Sequence, residues 1–261
     1  MRVAVALSVV ALSAETLLAA ACSGSPAAAP PRPAPTAPAA TASAATAPVA
    51  GFTVTGSRPV PRGGSQDTSA QAAGASCDPG QLAADKRLGA TIARGFAVGG
   101  LPASADLLRH FLAGSGTAVG YPAGSGISRL AAASTAFQAV SGSVRAAAAR
   151  QLRAGATTVR LPARQLPLVS FDSAAGDLYW GFRGTQGLTV TGSGHQENRV
   201  FRGTLTFVIR DSYGFPAGDT LGGFGAPMRY LQTVCGAPQH PGSARWFPDT
   251  ITVTVPFRAA A

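Results

Sequence analysis

The segment VFRGTLTFVIRD, residues 200–211, alternates large apolar and polar side chains. Phe201, Leu205, Phe207 and Ile209 fall on one face and Arg202, Thr204, Thr206 and Arg210 on the other, the period of two of a strand with one buried and one wet face. The same alternation runs outward in both directions. In GLTVTGS (187–193), Leu188 and Val190 oppose Thr189 and Thr191, and GHQEN (194–198) between the two runs predicts a short hairpin loop. ITVTVPF (251–257) puts Ile251, Val253, Val255 and Phe257 inward, and DLYWGFR (177–183) reads as a further strand with Leu178, Trp180 and Phe182 on one side.

Upstream the period changes. From about residue 80 to 153 the apolar positions recur at helical spacing: Leu82, Leu88, Ile92 and Phe96 in a first segment, despite the propensity cost of Gly89. Leu107, Leu108, Phe111 and Leu112 follow in a second, with Ser104 as a candidate N-cap and Gly114 as a C-terminal stop. A third stretch, 127–155, reads as one broken helix or two short ones. APMRYLQTVCG (226–236) predicts a late short helix with Pro227 in its first turn. Helices followed by antiparallel strands, with one late helix, define an α+β fold over residues 77–261.

The N-terminus carries an address. MRVAVALSVVALSAETLLAAAC has a basic Arg2, an apolar run too short to span a bilayer, and small residues leading to Cys22. Residues 1–21 thus read as a signal peptide. The end LAAAC resembles a bacterial lipobox, which would make Cys22 the lipidated first residue of the mature chain at the outer face of the cell membrane. The alternative is an ordinary signal peptide cut nearby, giving a secreted protein. Residues 22–76 are rich in Pro, Ala and Ser, and are expected to form a disordered spacer after the lipidated Cys. Setting Cys22 aside leaves Cys77 and Cys235 of the 3 cysteines, an even number in an oxidising compartment and a candidate disulfide.

Counting excludes much chemistry. Glu15 lies in the signal segment, so Glu197 is the one glutamate of the mature chain, and a paired-glutamate hydrolase is excluded. His110, His195 and His240 stand at no metal-ligand spacing from another His or Cys, so neither a metal nor a cofactor is expected. His110 reads as a packing residue of its helix and His195 as solvated. The formal charge is +10, carried almost wholly by arginine because Lys86 is the only lysine. The arginines are scattered singly, which argues against nucleic acid and permits attraction to an anionic envelope polymer.

The remaining motif is RDSYGF (210–215), at the end of the strand-like run 200–211. Together with RHFLAGSG (109–116), GDLYWGFRGTQGLTVTGSG (176–194) and RGTLTFVIRDSYGF (202–215) in that order, it resembles the activity domain of colicin M. That family of bacteriocins hydrolyses lipid II, the lipid-linked cell-wall precursor, at its pyrophosphate. The resemblance covers about residues 103–255 and implies a catalytic signature of Asp, any residue, Tyr-Asp-Phe, and His-Arg after four more. Asp211, Tyr213 and Phe215 match it, which makes Asp211 and Tyr213 the candidate catalytic residues. Gly214 stands for the second Asp, and Thr220 and Leu221 stand where His and Arg belong. Attack on a pyrophosphate needs a base and cations for the developing charge, and those partners are missing from the motif. The resemblance therefore implies a non-catalytic scaffold that binds an envelope component, an anionic polymer or a lipid-linked precursor. Two other readings stand beside it: a phosphodiesterase completed by Arg210 or Arg229, and a secreted antibacterial factor.

Overall fold

The computed structural model describes residues 51–60, 76–215, 222–236 and 243–261. The signal segment, Cys22, most of the spacer, Thr220, Leu221 and His240 lie outside the described residues. All described residues belong to one compact unit.

The fold is α+β, with a mixed and mostly antiparallel sheet. Its strands are β1 (Gly51–Arg58), β2 (Val119–Tyr121), β3 (Thr158–Leu161), β4 (Gly187–Glu197), β5 (Val200–Tyr213) and β6 (Phe247–Ala260). They lie in the order β2-β6-β5-β4-β1-β3. The contacts β6-β5, β5-β4 and β4-β1 are antiparallel, and the outermost pairs β2-β6 and β1-β3 are parallel.

One strand corrects the expected domain organisation. Residues 51–58 belonged to the expected spacer, yet β1 pairs with β4 over its whole length and with β3 on its other side. The reason is local sequence. Phe52 and Val54 alternate with Thr53 and Thr55, so burying one face of β1 leaves hydroxyls on the other. Phe52 is 4% exposed, its ring packed edge-on against Phe201 and Phe257.

The hairpin loop is also shorter than expected. β4 continues through His195 to Glu197, and only Asn198 and Arg199 turn, both with positive φ, as a two-residue hairpin turn requires.

The helices are α1 (Pro79–Val98), α2 (Pro102–Ala113), α3 (Gly126–Ala133), α4 (Thr135–Arg153), α5 (Asp177–Phe182) and α6 (Gly225–Thr233). The third predicted stretch is thus two helices. Ser134 divides them, its Oγ accepting from Phe137 N–H at the start of α4 and donating to the Ala131 carbonyl at the end of α3.

The helices pack on one sheet face. Phe137 of α4 meets Phe207, and Phe111 of α2 meets Tyr213, each edge to face. Gly89 of α1 marks a close crossing, because a Cβ there would come 2.9 Å from Leu112 of α2 and 3.2 Å from the Met228 sulfur of α6. The Cys77–Cys235 disulfide, with Cα atoms 4.9 Å apart, ties the entry of α1 to the segment after α6. Closing a loop of 158 residues contributes about 5 kcal/mol in the chain-entropy account.

α5 replaces the strand expected at 177–183. Spacing of four residues fits both periods in so short a run, and Leu178 and Phe182 are buried either way. Tertiary contacts decide. The Asp177 carboxylate accepts from the Ala103 and Ser104 backbone N–H groups at 2.8 and 2.7 Å and from the Ser104 hydroxyl at 2.5 Å. Ser104 is therefore not the N-cap of α2. That helix begins at Pro102, the residue before it is Leu101 with no capping side chain, and Asp177 supplies the cap from across the chain. Gly181, one turn on, leaves room for Leu107, which a Cβ would approach to 2.9 Å.

Because Asp177 is 5% exposed and caps buried donors, Asp177→Ala should cost more than a surface cap. A loss of about 2–4 kcal/mol is expected in urea unfolding with the slope unchanged.

Candidate functional site

The two candidate residues lie at the end of β5, and the structure separates their roles. Extending the alternation of β5 past Ile209 turns Asp211 and Tyr213 inward. Tyr213 stacks on Phe247 with ring centroids 5.4 Å apart and meets Phe111 and Phe215 edge-on. It closes the core together with Phe215, whose backbone N–H donates to Gln232 Oε1 of α6 at 2.9 Å.

Asp211 has a partner that the sequence reading missed. Its direct register neighbour on β6 is Asp249, so two carboxyl groups face each other across adjacent strands on the helix-covered side. The signal was present. Ile251, Val253, Val255 and Phe257 were recognised as inward, and carrying that alternation back one step reaches Asp249.

Asp211 is 9% and Asp249 1% exposed, and neither carboxylate oxygen of Asp249 has a hydrogen-bond partner within the protein. Burial pushes the Asp211 carboxyl up to about 7, against a smaller downward pull from the Ser212 backbone N–H. Asp249 is driven well above the carboxylate range by burial first and by the Asp211 charge second. Two carboxyls so placed do not ionise together, and the pair holds at least one proton at neutral pH. The surrounding field is acidic. Tyr121 of β2, edge-on to Phe182, is pushed up to about 12 by burial and then by the charges of Asp249, Asp106 and Asp177.

The other motif positions have surroundings of their own. Gly214, where the colicin M signature has its second Asp, lies under α6: a Cβ there would come 2.8 Å from Gln232 Oε1 and 3.1 Å from the Trp246 Cβ. Arg210 points to the opposite sheet face from Asp211 and donates to the Thr189 hydroxyl. It cannot serve the Asp211 carboxyl. Arg229 lies on α6 and forms no ion pair among the described residues.

His110 is a packing residue as expected. Its Nε2 lies 2.9 Å from the Thr117 carbonyl, and its ring stands edge-on to Phe247 at 4.4 Å. His195 is exposed on β4. Among the described residues no three His, Cys, Asp or Glu side chains converge as a metal site. The arrangement can take up and release a proton, and its burial confines that chemistry to the fold.

No family model, curated protein or solved structure matches the chain.

The raised carboxyls have a stability consequence. The native pair binds a proton that the unfolded chain releases above its ordinary carboxyl value, so stability is full below about pH 4 and falls as pH rises to about 7. Asp249→Asn removes, at nearly constant shape, a carboxyl whose ionised form is penalised by burial first and by the Asp211 charge second. Its melting temperature should exceed the wild type's at pH 8 and converge with it near pH 4. Parallel profiles of the two proteins from pH 4 to 8 would show that the carboxyls do not share a proton.

Proposed function

We propose that the protein is an exported binding protein of the bacterial cell envelope, anchored through a lipid on Cys22 and carrying its α+β domain on the Pro/Ala-rich segment that follows. Its domain resembles the colicin M activity domain in motif order, and we read it as a scaffold of that kind used for binding instead of phosphodiester cleavage.

The observation that carries this reading is the environment of Asp211. A phosphodiesterase carboxylate must reach water and substrate beside cations that take up the developing phosphate charge. Asp211 instead faces Asp249 inside the core, Gly214 is packed under Gln232 and Trp246, and Arg210 projects from the other side of the sheet. The N-terminal pattern supports export, and the Cys77–Cys235 bridge suits an oxidising compartment.

Two measurements test the reading. Cell fractionation should place the wild-type protein with membranes and Cys22→Ser in the medium, because anchoring depends on the acyl chains. A wild-type protein found only in the medium would remove the anchor. The purified chain should release no headgroup from lipid II, with or without added divalent metal. Steady hydrolysis abolished by Asp211→Asn, with the melting temperature preserved, would establish the phosphodiesterase instead.

A further inference from the structure

Among the described residues the helices cover one side of the sheet, and none covers the other. On the open side the strands present hydroxyls in register. Thr55 of β1 pairs with Thr191 of β4, Thr191 with Thr206 of β5, and Thr206 with Thr254 of β6, while Arg160 of β3 flanks Thr55. The next row, two residues along, reads Thr158, Thr53, Ser193 and Thr204. Thr206 and Thr254 place their hydroxyls 3.3 Å apart. The source in sequence is a recurring apolar-Thr-Val-Thr: FTVT at 52–55, LTVT at 188–191 and ITVT at 251–254.

Threonine's strand preference explains hydroxyls on a wet face. It does not explain the charge. Arg160, Arg202, Arg210 and Arg258 also project from this side, and Glu197, the one carboxylate among its described residues, is taken up by Arg202 at 3.3 Å. Arg160 and Arg258 are exposed and form no ion pair among the described residues. Arg202 and Arg210 stand toward opposite ends of β5, roughly 27 Å apart at strand rise, with Thr204, Thr206 and Val208 between them. A shallow concavity of about 330 Å³ opens on the same face among Thr55, Ser57, Arg160, Thr189 and Thr191.

We infer that this open face binds a linear polyanion whose repeat carries both hydroxyl groups and phosphodiester anions, laid obliquely across the strands from the Arg202–Arg258 end of β5 and β6 to Arg160 of β3. The inference rests on the envelope-binding reading above and names the ligand class and the surface. Threonine hydroxyls donate and accept, which suits a polyol, and guanidinium forks match phosphate oxygens. An extended, open surface fits a chain of repeats, where a small ligand would call for an enclosed pocket. No aromatic side chain projects from this face among the described residues. Single-stranded nucleic acids and neutral sugar rings bind largely by stacking, so both are disfavoured occupants.

The test uses the full purified chain and poly(glycerol phosphate) as the probe, followed by titration calorimetry at low and high salt. Dextran serves as the neutral polyol, dextran sulfate as a polyanion without phosphodiesters, and polyadenylate as a phosphodiester that carries bases. The wild type is expected to bind poly(glycerol phosphate) in preference to all three. Arg160→Gln with Arg258→Gln, both at exposed side chains, should weaken binding about tenfold at low salt, at roughly threefold per exposed charge, and less at high salt. Thr55→Val with Thr191→Val keeps shape and strand preference and should weaken binding at both salt concentrations.

Absence of binding to poly(glycerol phosphate) overturns the inference. So does equal binding of dextran sulfate or polyadenylate, or indifference of the Thr pair, since the phosphodiester, the base-free repeat or the hydroxyl rows would then not decide the affinity. Sedimentation with isolated cell walls separates this from the parent reading. If the chain sediments with walls and the face variants sediment equally, the envelope reading stands and this surface falls. If the chain binds the polymer through this face and wild-type protein is absent from the envelope fraction, the reverse holds.

Discussion

The register of β5 between β4 and β6 is the constraint on which the rest of the molecule depends. β5 pairs along its whole length with β6, and from Val200 to Arg210 with β4. A slip of one residue would send Leu205, Phe207 and Ile209 to solvent and Arg202, Thr204 and Arg210 into the helix layer. Three devices hold the register. The two-residue turn at Asn198–Arg199 fixes the hairpin. Gly194 opposite Gly203 lets the strands approach so closely that a Cβ on Gly194 would come 2.1 Å from the Arg202 carbonyl, and the Phe52 ring fills the space above it. The C-terminal Ala261 N–H donates to the Arg199 carbonyl at 2.8 Å, tying the far end of β6 to the turn.

Where the amino-acid pattern was long and one-sided, it could be read directly. The alternation of β4, β5 and β6 and the apolar stripes of α1, α2 and α4 each repeat a period often enough to exclude the other. Legibility failed where a segment was short or its surroundings were misleading. In 177–183 the buried residues satisfy both periods, and the helix is chosen by Asp177 capping α2 some 70 residues away in sequence. β1 was hidden by its neighbours, because Pro and Ala on either side make the whole stretch look like spacer. Yet GFTVTGS at 51–57 matches GLTVTGS at 187–193 in all but one residue, and the two lie side by side in the sheet. Comparing strand-like heptads within the chain would have found it.

The Asp211–Asp249 pair was half legible for a related reason. A motif draws attention to its own residues, and Asp211 belonged to one while Asp249 did not. The pairing is a property of two strands, visible only once β5 and β6 are placed in register. Energetically the pair is a burden: replacing buried ionisable groups by apolar ones of similar volume is commonly neutral or stabilising. What the pair adds is proton dependence at one end of the sheet, where β2, α2 and the aromatic cluster around Tyr213 meet.

The same strand therefore serves two separate ends. Successive side chains of β5 point to opposite sides, so Leu205, Phe207, Ile209, Asp211 and Tyr213 answer to packing and protonation, and Thr204, Thr206 and Arg210 to the open face. The two sets share a backbone and little else. Each outward side chain can change without opening a cavity, because its Cβ faces away from the core. Each inward one can change without altering the charge presented to a ligand. That independence lets the strand carry a buried carboxyl on one side and still present an ordered surface on the other. The inward face has only to hold the ladder flat enough for the hydroxyl rows to stay in register, and the long apolar run of β5 provides that whatever the protonation state at its end.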